Sequence, residues 1–367
     1  MINDLKELKF YKKADLMTKK RSIKIDWLTA FAVSFVLINI ICFFYYRDPG
    51  GSNRETGAVS YIVERGRCRI NFEEGYGVNK ADRNGYINDN SNLSDKYILI
   101  LGNSQTQGIN VFSSQRYPKL LNDKLHIANN NSSRVYSVAQ GGADFCKLAQ
   151  GVTALIKEFP QAEMIIIQVI DGRVVLDDLE CIYNQRTFDE VDRAGYIFDN
   201  EGIFRRIKHW VKDYIPILGF ATGARMKNAL NEIKSVSNNR NASVVNNNEQ
   251  IDVHILSSKL TDALNFLNEC VNVPIVIINL NTVRINKEDG SLCVNTNNSS
   301  MWKEACNDVG ITYVDMGEDW IELYEEEHKL PYGFTNTRPG YGHLNPDGHR
   351  KIAEKLYSVL KQEGLIQ

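Results

Sequence analysis

YILILGNSQTQG, from Tyr97 to Gly108, decides the fold: an unbroken apolar run, then a glycine, an asparagine, a serine and a closing glycine. A short apolar run that does not alternate with polar residues predicts a strand covered on both faces, as in a parallel sheet. Gly102 lets the chain turn at once. Ser104 would then stand just past the carboxyl end of a parallel strand, where open α/β sheets hold their ligands.

The same pattern recurs outward from this stretch. RVYSVA (Arg134–Ala139), MIIIQVI (Met164–Ile170), VPIVIINL (Val273–Leu280) and ITYVDM (Ile311–Met316) read as four further strands. Amphipathic stretches at 114–127, at 144–158 and in RKIAEKLYSVLKQ near the C-terminus read as helices between or after them. Strands alternating with helices predict an α/β three-layer domain with a parallel central sheet. Between the third and fourth strands the chain takes about a hundred residues where a short crossover is usual. That insertion, about 181–255, holds an aromatic and basic portion around Phe204, Trp210, Tyr214 and Phe220, then the Asn-rich tract SNNRNASVVNNNEQ.

The 367 residues carry 43 Lys and Arg against 45 Asp and Glu, a formal net charge of −2, with 43% hydrophobic residues. This usage excludes a disordered tail, a collagen-like fibre and a multi-span membrane protein. It provides no basic field to gather nucleic-acid phosphates. A mean hydropathy of −0.32 hides one local exception. WLTAFAVSFVLINIICFFYY, from Trp27 to Tyr46, has no charged residue and no polar stripe, with aromatic residues at both ends. It predicts a transmembrane helix. Lys and Arg crowd the side before it, so the positive-inside rule puts the N-terminus in the cytoplasm and the rest outside. The expected organisation is a basic cytoplasmic tail (1–25), an anchor (26–46), a stalk and lead-in (47–95) and one extracytoplasmic domain (96–367). Six cysteines outside the span allow up to three disulfides without fixing a pairing.

The second chemical element lies far along the chain. Gly340-Tyr341-Gly342-His343-Leu344-Asn345-Pro346-Asp347-Gly348-His349 precedes the last helix, which Pro346 and Asp347 suit as a start. An imidazole in that loop could accept the Ser104 proton and later return it to a leaving group.

GNSQTQG after the first strand, a glycine after the second and GHLNPDGH before the last helix together resemble the SGNH (GDSL-like) hydrolase superfamily, from about Tyr97 to Leu365 outside the insertion. The resemblance implies a flavodoxin-like α/β/α fold and esterase, lipase or carbohydrate O-acyl chemistry; the sequence has no Walker loop, dinucleotide fingerprint or metal constellation, so no cofactor or metal is expected. It implies Ser104 as nucleophile, His343 as general acid and base, and backbone N–H groups of Ser104 and Gly142 as the oxyanion hole. Three positions depart from the family pattern. Asn103 replaces an Asp before the serine. Asp171, Gly172 and Arg173 stand where a side-chain oxyanion donor is usual. Gly340 occupies the place of the triad Asp, which leaves His343 to be oriented by a backbone carbonyl or a remote acid, with Asp347 and Asp315 as sequence-near candidates. The expected function is an extracytoplasmic serine esterase or O-acyl(acetyl)transferase acting on an acylated cell-envelope carbohydrate or another ester. The alternative is a noncatalytic glycan-binding or scaffold protein of the envelope.

Overall fold

The computed structural model describes residues 25–41, most of 68–185, and 253–366; the greater part of the insertion, with its aromatic run and Asn-rich tract, lies outside the described residues. The chain divides into two compact units, Met1–Asp48 with Gly202–Ser243, and Pro49–Glu201 with Val244–Gln367.

In the first unit residues 25–41 are helical, with Trp27, Leu28, Phe31 and Ile41 exposed. Two of its polar side chains turn back on the helix: Thr29 donates to the Ile25 carbonyl and Asn39 to that of Phe35. Residues 42–46 of the expected anchor lie outside the described residues, and among those described no helix is long and apolar enough to cross a membrane.

The second unit is built on a five-stranded sheet, all of whose pairings are parallel. In chain order its strands are β3 (Tyr97–Gly102), β4 (Arg134–Ala139), β5 (Ala162–Ile170), β6 (Ile275–Leu280) and β9 (Thr312–Asp315), after a hairpin of β1 (Cys68–Asn71) and β2 (Gly77–Lys80). A second hairpin, β7 (Val283–Ile285) and β8 (Leu292–Val294), follows β6. The spatial order β4-β3-β5-β6-β9 is the flavodoxin-like arrangement, with the switch in direction between β3 and β5.

The continuous Ile/Leu runs have the cause that the sequence suggests: both faces of the sheet are covered. Leu99 and Leu101 enter one core with helices Phe145–Gln150, Val152–Glu158, Val253–Cys270 and Ser299–Asp308. Ile98 and Ile100 enter the other with helices Tyr117–Ala128, Gly317–Glu327 and Pro346–Gln362. Each fully buried Ile or Leu contributes about 1.5–3 kcal/mol relative to exposure. The last helix starts where the sequence places it, with Pro346 in the first turn and the Asn345 side chain accepting from the Gly348 N–H at 3.0 Å. Cys146, Cys181, Cys270, Cys293 and Cys306 are free thiols, so none of these five forms a disulfide.

From Cys68 on, the described part of the stretch read as stalk and lead-in has more regular structure than its polarity suggests, and residues 47–67 lie outside the described residues. The β1–β2 hairpin is fastened by side-chain hydrogen bonds, and Asp82–Asn88 by such bonds together with Tyr86 in the core; apolar periodicity is blind to the bonds. Asn79 donates to the carbonyls of Ile109 and Val111. Asn88 bonds both backbone groups of Ser137 on edge strand β4, and Asp82 accepts from the Tyr136 hydroxyl.

Candidate active site

Ser104 opens a one-turn helix directly after β3. The turn is tight for local reasons. Asn103 is extended, and its side chain accepts from the Gln105 N–H at 3.0 Å. A Cβ on Gly102 would fall 1.8 Å from Thr106 Oγ1, so only glycine lets the strand meet the turn this closely. Gln168 of β5 fastens the turn from below, accepting from the Asn103 N–H and Thr106 Oγ1, both at 3.1 Å. Arg116, buried, donates to the Thr106 carbonyl and to Ser137 Oγ.

His343 reaches this turn from the loop before the last helix, 239 residues away in sequence. Its Nε2 lies 3.0 Å from Ser104 Oγ. Its Nδ1 bonds Oε2 of Glu74, whose other oxygen, Oε1, accepts from the His343 backbone N–H at 2.6 Å. Hydroxyl, imidazole and carboxylate thus form one chain, about a quarter to a third exposed at Glu74 and His343. In such a chain Nδ1 is held as the donor to carboxylate, which leaves Nε2 with its lone pair toward the serine.

Neither sequence-near acid orients His343. Asp347 bonds Lys329 at 2.9 Å and faces Arg350, while Asp315 is enclosed at the end of β9. The acid is instead delivered by the β1–β2 hairpin, 30 residues before the serine. Asn110 donates to the Glu74 carbonyl at 2.9 Å, and Gly75 donates to Asn336 Oδ1, also at 2.9 Å. On the other side Gly342, at φ +94°, makes room: a Cβ there would stand 2.1 Å from Glu74 Oε1. Gly340, where the resemblance expects an acid, is at φ +76° and donates its N–H to the Tyr332 carbonyl. Sequence reading missed Glu74. The available signal was an acid beside Gly75-Tyr76-Gly77 in a segment otherwise short of apolar residues.

Gly142 follows β4 at φ +77°, with open space where a Cβ would point. Gly102 and Ala139 are register partners, so the loops after β3 and β4 leave the sheet side by side. The Gln107 side chain lies 3.8 Å from the Cβ position of neighbouring Gly141. At the end of β5, Asp171 is buried and turned away: it accepts from the Thr282 N–H at 2.6 Å, from the Thr282 hydroxyl and from Arg173. Gly172 donates to Asn279 at 2.8 Å. These residues bind the ends of β5 and β6 together. His349, the other histidine of the motif, is fully buried, stacked on Tyr117 and accepting from its N–H at 3.3 Å. Burial, aided by the charges of Arg116 and His343, pushes its imidazole down to about 3. Among the described residues no three His, Cys, Asp or Glu side chains are grouped to hold a metal ion.

Fold and site together define an open parallel α/β protein with a serine–histidine–glutamate chain at the carboxyl edge of its sheet. Solved structures similar to it include the psychrotrophic esterase EstA from Pseudoalteromonas sp., 12% identical over 73% of this chain and 98% of that one, TM-score 0.37. An acetyl xylan esterase, AlAXEase, is 14% identical over 72% and 99%, TM-score 0.37. A variant of an acetyl-xylooligosaccharide esterase from Geobacillus is 11% identical over 72% and 92%, TM-score 0.37. No family profile and no curated protein matches the chain. At these identities and TM-scores the reading of the site rests on its own geometry.

Proposed function

We propose that the protein is a serine esterase or O-acyltransferase that works through an acyl-enzyme on Ser104. The carrying observation is the Ser104 Oγ–His343 Nε2 distance of 3.0 Å with Glu74 bonded to the far ring nitrogen. As Ser104 Oγ attacks the ester carbonyl carbon, its proton passes to His343 Nε2. The Glu74 carboxylate stabilises the imidazolium that forms. The carbonyl oxygen becomes an oxyanion, for which the backbone N–H groups of Ser104 and Gly142 are the proposed donors, each worth about 3 kcal/mol in the transition state. Collapse breaks the bond to the alcohol, which leaves with the proton from Nε2. A water or a sugar hydroxyl then repeats the sequence in reverse, giving up its proton to His343 and taking the acyl group from Ser104.

Hydrolysis and transfer share every residue of this scheme and differ in the second nucleophile. An acylated cell-envelope carbohydrate is the proposed substrate, and the reading is supported by the uncharged stretch Trp27–Tyr46 behind a basic tail. Apolar side chains exposed along residues 25–41 support the same anchor. Resistance of the full chain to alkaline extraction from membranes, with residues 96–367 open to protease only from outside the cell, is the outcome expected; a freely extracted chain overturns the anchoring.

The chemistry is tested with p-nitrophenyl acetate and a fluorophosphonate probe. Ser104→Ala is expected to abolish turnover while leaving the fold intact, and the probe adduct should map to Ser104. Equal activity of wild type and variant would remove the nucleophile assignment. A folded protein with no adduct would favour the noncatalytic binding role.

A further inference from the structure

We infer that Gln105, the residue after the proposed nucleophile, is the positioning residue that sets the Ser104–His343 distance. The inference rests on the reading of Ser104 and His343 given above and adds a third part to it. Gln105 is buried, 7% exposed, so its side chain cannot serve as a substrate-facing surface. Its carboxamide reaches across to the histidine loop and bonds the backbone on both sides of His343. Oε1 accepts from the Leu344 N–H at 2.7 Å, and Nε2 donates to the Gly342 carbonyl at 3.3 Å.

The loop 342–344 is thereby tied at consecutive backbone groups. Gln105 takes Gly342 and Leu344, Glu74 takes the His343 N–H, and the His343 carbonyl accepts from the Gly333 N–H at 3.0 Å. Without Gln105 the loop would still be held to the β1–β2 hairpin and to residue 333, but nothing in this set would tie it to the turn that carries Ser104. Glu74 fixes how the imidazole is rotated and which nitrogen holds the proton. Gln105 fixes how far that imidazole stands from the hydroxyl. Gln105 donates and accepts at once, which a carboxylate or an ammonium could not do, and its neighbour Ser104 moves with it. Geometry of this kind governs rate steeply, because proton transfer needs heavy atoms at hydrogen-bond reach.

Gln105→Met keeps the volume and loses both bonds; Gln105→Glu keeps an acceptor for Leu344 and loses the donor to Gly342. In the full chain with p-nitrophenyl acetate, Gln105→Met is expected to lower kcat by about 10- to 100-fold. KM should stay near the wild-type value, since Gln105 does not meet substrate. Gln105→Glu should recover part of kcat, and the rate of fluorophosphonate labelling should follow the same order. A merely structural role would lower the melting temperature and leave kcat of the folded fraction unchanged, and that result overturns the inference. So would a rise in KM at constant kcat. The two readings fail separately. If Ser104→Ala stays active, the nucleophile is wrong and the inference goes with it. If Ser104→Ala is dead and Gln105→Met has wild-type kcat, the positioning inference alone is lost. Should Gln105→Met not fold, Gln105→Glu decides: wild-type kcat and labelling rate reject the inference, a kcat loss at constant KM supports it.

Discussion

Ser104 and Ser299 stand at the same carboxyl edge of one sheet, and each has a carboxylate in its network. Only one of the two arrangements is able to move a proton. Ser299 donates straight to Asp315 Oδ2 at 2.7 Å. The same carboxylate also accepts from Asn279, Asn281, Tyr313 and the Gly317 N–H, at 2.9 to 3.3 Å. Burial works to raise the Asp315 carboxyl, but the bonds from Ser299, Asn279, Gly317 and Tyr313 outweigh it and hold the group below its ordinary value. A carboxylate so fully engaged is a poor base, and Ser299 is a strut. At Ser104 an imidazole stands between hydroxyl and acid, and Glu74 spends both oxygens on that one residue, at Nδ1 and at the backbone N–H. What separates the proposed nucleophile from the structural serine is an adjacent base with a free lone pair.

The two serines differ most at Glu74. Glu74→Gln keeps the shape and removes the charge that holds Nδ1 as donor, so kcat for p-nitrophenyl acetate should fall on the order of 10³- to 10⁴-fold with the fold retained. Activity within tenfold of wild type would return the orienting role to another group. Gly342→Ala attacks the same point from the opposite side. Its Cβ would stand 2.1 Å from Glu74 Oε1 at a φ of +94°. A loss of about 100-fold in kcat is expected as the carboxylate is pushed off the ring. The melting temperature of the same protein separates this from global unfolding.

Those two substitutions also mark where the sequence was readable and where it was not. Unbroken runs such as Leu99–Leu101 and Ile165–Ile167 announce a parallel sheet because burial on both faces leaves no polar alternation. Ser104 and His343 sit in turns whose glycines and caps are local, so their motifs survive in one dimension. Glu74 is different in kind. Its place is set by bonds from Asn110 and between Gly75 and Asn336, partners 36 and 261 residues away. No periodicity encodes such contacts, and the familiar position for an acid, Gly340, directs attention elsewhere. The β1–β2 hairpin was missed for the same reason: it is sewn on by side-chain amides.

The motif GHLNPDGH contains a control for pH. Of its two histidines, His343 faces Ser104 and His349 is sealed behind Tyr117. Because His349 titrates at about 3 when folded against 6.5 for a free imidazole, the unfolded chain binds the extra proton between those values. Stability from this group is therefore complete above about pH 6.5 and is lost as pH falls toward 3, by about 1.4 kcal/mol per unit. At pH 5 the loss is roughly 2 kcal/mol. His349→Phe should flatten the melting-temperature profile over that window while leaving its alkaline side alone. An unchanged slope would mean that other groups carry the acid sensitivity.

Ser299 itself should tolerate substitution well. Ser299→Ala deletes one of the hydroxyl donors on Asp315 and leaves its remaining donors in place, so the carboxylate stays charged and satisfied. The expected cost is about 1 kcal/mol in chemical denaturation, the net worth of an ordinary hydrogen bond. Esterase activity should be unaltered, because no bond of this network runs to Ser104, His343 or Glu74. The adjacent asparagines would feel the change, since Ser299 Oγ also accepts from Asn281 Nδ2 at 3.3 Å. If Ser299→Ala instead lowers kcat at constant stability, the two ends of the sheet are coupled. The division between a reactive and a structural serine would then be a property of the whole carboxyl edge, and Asp171, which ties β5 to Thr282 between them, would be the place to look for the link.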